Sequence, residues 1–129
     1  MIIKNLEELL SHGDVDSRSL LLSIVDEVLS HENYENRILK TVKLSDNILY
    51  INERKFDLRN YRDIYVIAGG KYSTYMVKGL SDILGNLLKG GIVVDKKKYN
   101  FLDRRFIFFK AGHPIPNDAS FRAGNMILN

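Results

Sequence analysis

Apolar positions recur every three to four residues through the first 45 residues, and the pattern changes to short β-branched runs near Asp46. Leu6, Leu9 and Leu10 follow Asn5, with Glu8 three residues on, which predicts a short helix opened by a capping box and closed at Gly13. Leu20, Leu21, Ile24, Val25, Val28 and Leu29 predict a second helix over 17–30, and a third is expected over 34–42. All three read as packing elements. After Asp46, residues 48–51, a polar turn at 52–55 and Phe56 predict a small hairpin outside the main sheet. A strand over 64–68 comes next, then a helix over 72–88 ended by Gly90 and Gly91, and a second strand over 92–94. Residues 95–103 read as a loop, 105–109 as a third strand, and 117–128 as a final helix with Asn117 as N-cap.

This order predicts an α/β fold, a Rossmann-like and mostly parallel sheet with flanking helices and right-handed crossovers, preceded by an amino-terminal helical segment. A single domain over 1–129 is expected, with a helical segment over 1–45 and an α/β layer over 46–129. A chain of 129 residues with 45% hydrophobic content can bury about two thirds of its unfolded surface. With no cysteine it has neither a disulfide nor a thiolate site, and a reducing cytoplasm is the expected location. No apolar run reaches the roughly 18 residues of a membrane span, so no membrane partner is expected.

Charge divides the chain. Residues 1–50 carry five Lys or Arg against nine Asp or Glu, whereas residues 51–129 carry fourteen against seven. The later part therefore favours anionic ligands. Its basic residues are scattered and no nucleic-acid signature accompanies them, so a solvated surface is expected in place of a nucleic-acid partner. His12 and His31 fall at helix ends, where a cation suits the carboxyl terminus, and no metal site is predicted.

The candidate chemistry lies in two turns. Ile64 to Ala68 runs into Gly69-Gly70-Lys71-Tyr72-Ser73, a strand, a glycine turn and a lysine opening a helix. Gly69 and Gly70 are expected to turn at positive φ and leave backbone N–H groups open beside Lys71, an arrangement that attracts phosphate or carboxylate. The lysine outweighs the helix dipole there, because a charge pair at about 4 Å is worth roughly 4 kcal/mol against about 0.3 to 1 kcal/mol for the dipole. Ala111-Gly112-His113-Pro114-Ile115-Pro116-Asn117 then places a histidine between a flexible glycine and two rigid prolines. Ligands collect beyond the carboxyl ends of parallel strands, so the two turns are expected at one edge. The prolines also suit a purely structural connection.

Val66-Ile67-Ala68-Gly69-Gly70-Lys71-Tyr72-Ser73 with Met76, and Gly112-His113-Pro114-Ile115-Pro116, together resemble the amino-terminal part of the MOFRL-type glycerate 2-kinases. The resemblance spans essentially the whole chain. It implies transfer of the γ-phosphoryl group of ATP, with Mg2+, to the 2-hydroxyl of D-glycerate. It matches Lys71 to the catalytic lysine, and Gly69, Gly70, Ser73, His113, Pro114 and Pro116 to substrate-binding positions. Ala68 and Gly69 exchange the family's usual order of glycine and alanine, Tyr75 and Val77 replace small residues, and Asn117 replaces an aspartate.

Members of that family are several times longer, which makes this chain an expected amino-terminal fragment. Alone it is expected to be inactive and to bind no cofactor tightly. Its expected partners are a small anionic metabolite such as D-glycerate, a complementing carboxyl-terminal chain, and further copies of itself. Two other readings stand beside this one. The first is a non-catalytic module binding an anion or small acid. The second is a nicotinamide-dependent hydroxypyruvate reductase, which the missing G-x-G-x-x-G spacing disfavours.

Overall fold

The computed structural model describes residues 2–31 and 34–129. Contacts divide the chain into two compact units, residues 1–33 and 34–129. In the first, α1 (Leu6–Leu10) and α2 (Val15–His31) are joined by a turn in which Gly13 takes φ +68°. The predicted capping box at Asn5 does not form. Asn5 makes no side-chain cap to the backbone, and its amide donates instead to the Glu8 carboxylate at 3.5 Å. The apolar stripe of α2 was expected to pack, yet Leu20, Leu21, Ile24, Val25, Val28 and Leu29 are exposed. Among the described residues of this unit the one helix packed on α2 is the five-residue α1, too short an element to cover that stripe.

The second unit opens with α3 (Tyr34–Thr41) and an antiparallel meander of β1 (Val42–Ser45), β2 (Ile48–Ile51) and β3 (Arg54–Asp57). The predicted hairpin is β2 and β3, and it does lie outside the main sheet. Strand β1 is an addition: the third helix ends at Thr41, and Val42 to Ser45 pairs with β2 across a two-residue turn. Asp46 and Asn47 both take positive φ there, the geometry of a tight hairpin, and Asn and Asp tolerate it best.

The main sheet is parallel, with order β4 (Ile64–Gly69), β5 (Leu88–Asp95), β6 (Phe106–Lys110). Helix α4 (Ser73–Leu84) crosses from β4 to β5, and α5 (Asp118–Leu128) follows β6. The core joins Val77 and Leu84 of α4 to Leu88, Val93 and Phe106 on one sheet face, with Leu58 at its margin. On the other face α5 lies against β5 and β6, where Ala123 is buried. Tyr65 and Ile67 of β4 are exposed there, beside a groove of about 340 Å³ shared with Ile107, Met126 and Ile127. Among the described residues no helix is long and apolar enough to cross a membrane.

Two boundaries differ from expectation for one reason. Helix α4 stops at Leu84, Gly85 turns at φ +52°, and β5 starts at Leu88, so Gly90 and Gly91 lie inside a strand. A Cβ on Gly91 would sit 1.8 Å from the Val66 carbonyl oxygen, and one on Gly90 2.4 Å from that of Arg105. These glycines are present for close backbone approach across the sheet, a use that looks like a helix stop in sequence.

Candidate functional site

Strand β5 is the central strand, and its last two peptide units hold both turns. The Gly70 N–H donates to the Val94 carbonyl at 2.9 Å, and the Ala111 N–H donates to the Asp95 carbonyl at 3.0 Å. The turn after β4 and the loop after β6 therefore meet at the carboxyl edge of the sheet, as parallel topology predicts. They enclose a pocket of about 110 Å³ lined by Gly70, Lys71, Val94, Asp95, Lys96, Ala111, Gly112 and His113.

The first turn is not the open cradle expected of it. Gly69 still pairs with Val94 as the last residue of β4, so the turn begins one residue later, with Gly70 at φ +107° and Tyr72 at φ +67°. The backbone N–H groups are largely engaged: that of Gly70 by Val94, that of Ser73 by the Gly70 carbonyl at 3.2 Å, and that of Thr74 by Asp95. Asp95 takes the place of an external anion at the start of α4. Its Oδ2 accepts from the Thr74 N–H at 3.3 Å, the Thr74 hydroxyl at 3.1 Å and the Ser73 hydroxyl at 3.3 Å, and its Oδ1 accepts from the Lys96 N–H at 2.7 Å. Asp95 is 3% exposed, Ser73 2% and Thr74 not at all. A carboxylate at a helix amino terminus offsets the positive end of the dipole and satisfies donors that the helix leaves open.

Lys71 and His113 are exposed and line the pocket from its two walls. Gly70 lines it too. Gly69, Pro114 and Pro116 do not, and Ser73 is turned inward, its hydroxyl also 3.2 Å from the Val94 carbonyl oxygen. The second loop is shaped by a close approach at Gly112, where a Cβ would lie 2.2 Å from the Ile115 carbonyl oxygen. The His113–Pro114 peptide is cis. Asn117 fastens the far end of the loop: its Oδ1 accepts from the Ser120 N–H at 3.1 Å, and its Nδ2 donates to the Lys110 carbonyl at 3.3 Å. An aspartate would make the first bond and not the second.

The domain of unknown function DUF4147 matches residues 20–129. The chain belongs to the DUF4147 family. A glycerate 2-kinase from Pyrococcus horikoshii is 31% identical over 115 residues, a match that covers 89% of this chain and 25% of that protein. The crystal structure of the PH0495 protein from Pyrococcus horikoshii OT3 superposes with a TM-score of 0.68 at 29% identity, over 88% of this chain and 25% of that one. The resemblance to the amino-terminal part of the MOFRL-type glycerate 2-kinases and the α/β fold class are thus borne out. The chain spans about a quarter of the length of the relatives that it matches.

Two features of this DUF4147 chain escaped the sequence. Asp95 directly follows the strand run Ile92 to Val94 and reads as the first residue of a charged loop; nothing local marks it as the partner of Ser73 and Thr74, 21 to 22 residues earlier. Tyr75, one of the two residues that replace smaller ones of the family, does not lie in the core. It turns instead to the loop after β5, with its ring centroid 4.8 Å from that of Tyr99 and 5.1 Å from that of Phe101, and the smaller Val77 is the residue buried in the core. Burial and the bond with Tyr99 push the Tyr75 phenol above its ordinary value.

The described residues do not fit a magnesium site. No group of three or more His, Asp or Glu converges among them, and both oxygens of the one carboxylate in the pocket already accept hydrogen bonds. A pocket of about 110 Å³ is also smaller than the roughly 300 to 1,000 Å³ of sites that enclose a nucleotide-sized ligand.

Proposed function

We propose that this chain carries the acid-binding edge of a glycerate 2-kinase, with D-glycerate as the ligand and Lys71 as the cation that meets it. The observation behind this reading is the shared pocket. Lys71 and His113 arrive on separate loops, 42 positions apart in the numbering, and border one space of about 110 Å³. The similarity to a glycerate 2-kinase supplies the substrate class. Lys71 pairs with the acid and neutralises charge, and His113 borders the ligand from the second loop, which Pro114 and Pro116 shape. Phosphoryl transfer also needs a bound nucleotide, a metal and a positioned hydroxyl held together. ATP and Mg2+ belong to the intact enzyme in this reading, and no step through them is assigned to the residues here. Alone, the chain binds and does not phosphorylate.

Calorimetric titration with D-glycerate tests the binding. Saturable heat that weakens with salt and with Lys71→Ala supports it, and a flat titration of the wild type rejects it. Mixing with a carboxyl-terminal segment of a glycerate 2-kinase tests the chemistry. ATP-dependent phosphorylation that appears on mixing and is lost in Lys71→Met supports a complementing half-enzyme. Binding without any such recovery favours the non-catalytic acid-binding module.

A further inference from the structure

The pocket holds an unusual balance of charge. Lys71 and Lys96 bring two positive charges to its lining and Asp95 one negative charge, while His113 adds a ring that donates or accepts a hydrogen bond. Around Asp95 the other ionisable groups are Lys110, its partner in register on β6, and the Tyr75 phenol on α4, whose environment includes the Asp95 charge. The carboxylate is held in place by three donors on Oδ2 and one on Oδ1, so it cannot swing out of the way of an incoming anion.

We infer that Asp95 is a specificity-determining residue that makes this pocket select a singly charged carboxylate over a doubly charged tetrahedral oxyanion. The inference rests on the reading of the pocket as an acid site. It goes further by naming the charge that the site accepts and the residue that sets it. A monoanion matches the surplus of one positive charge that the lysines leave over Asp95. A dianion brings a second negative charge against a buried carboxylate at short range, where effective dielectric constants are low and repulsion is strong. The Gly70, Ser73 and Thr74 N–H groups, three of those that would offset that charge in a phosphate-binding turn, are already bonded within the chain.

The test compares D-glycerate with sulfate, a dianion at all working pH values, by calorimetry on the full chain at one pH. Wild type is expected to bind D-glycerate at least about tenfold more tightly than sulfate. Asp95→Asn removes the charge at nearly constant shape, and it is expected to shift that ratio about tenfold or more toward sulfate. Thr74→Val loosens the same carboxylate and keeps its charge, so it is expected to lower stability and leave the ratio where it was; a purely structural Asp95 would give both variants the same ratio. Sulfate binding to wild type as tightly as D-glycerate, or an unchanged ratio in Asp95→Asn, overturns the inference. If Asp95→Asn does not fold, the wild-type and Thr74→Val ratios decide. Failure of wild type to bind either ligand removes the acid-site reading itself, a different result from binding both equally.

Discussion

Thr74 gives Asp95 two hydrogen bonds on a single oxygen, from its N–H at 3.3 Å and from its hydroxyl at 3.1 Å, and so ties the first turn of α4 to the end of β5. Both residues are buried, so the bonds are not exchanged for water. Thr74→Val keeps the shape and the N–H bond, and is expected to cost about 1 kcal/mol of unfolding free energy. Asp95→Ala strands the Thr74 and Lys96 N–H groups and the Thr74 hydroxyl, and is expected to cost about 3 kcal/mol or more. Urea unfolding followed by circular dichroism measures both. Equal, near-zero losses would show that the pair does not anchor the helix.

Gly91→Ala is expected to be among the most damaging single substitutions in the chain. Its Cβ would lie 1.8 Å from the Val66 carbonyl oxygen, backbone that moves only if β4 and β5 separate. A loss of roughly 3 kcal/mol or more follows, which for a small domain approaches outright unfolding. Gly124→Ala meets nothing within 4 Å, and serves as the control. Thermal melts of the two variants give the comparison.

Asp103 predicts a pH dependence. The Arg105 guanidinium bonds to both of its oxygens and holds its carboxyl below the ordinary value of 3.8, so the group binds a proton less readily folded than unfolded. Its contribution is therefore complete above the unfolded value and is lost as pH falls through the lowered folded value. Melting temperature should drop below about pH 4, and Asp103→Asn should flatten that drop. Arg105 also donates to the Gly85 and Leu88 carbonyls, so the variant is expected to loosen the entry to β5, visible as faster amide exchange there.

Lys71 is exposed and makes no ion pair among the described residues, so its removal should leave stability within about 0.5 kcal/mol. Its removal should lower D-glycerate affinity by about tenfold to a hundredfold, since one cation at close range is lost. Lys71→Arg keeps the charge and is expected to retain most of the affinity. A stability loss matching the affinity loss would assign the lysine to the fold instead.

Asn117→Asp retains the cap on α5 and loses the bond to the Lys110 carbonyl, leaving two oxygens facing each other at a separation now near 3.3 Å. A cost of about 1 kcal/mol is expected, together with broadened His113 ring signals in NMR spectra as the loop loses its tether. Sharp, unshifted ring signals would show that the tether does not order the histidine.

Local signals carried much of this architecture. Helix α5 starts where Asn117 and Ser120 form a reciprocal cap, and the β2–β3 hairpin and the strand before Gly70 follow β-branched runs with turn residues between them. What stayed hidden depends on residues far apart in the chain. Gly90 and Gly91 answer to Arg105 and Val66, Asp95 answers to Thr74, and strand β1 exists because β2 lies beside it. The two site turns were legible as sequence, but their amides were expected to be open. Only the sheet register brings the Val94 carbonyl to the Gly70 amide and the Asp95 carboxylate to that of Thr74.

Both walls of the pocket hang from adjacent peptide units of one strand, Val94 holding Gly70 and Asp95 holding Ala111. Its width is consequently fixed by the two strand spacings that separate β4 from β6, about 9.6 Å, and cannot be adjusted by side chains alone. The sheet acts as a gauge, so a variant meant to admit a longer acid must lengthen a loop.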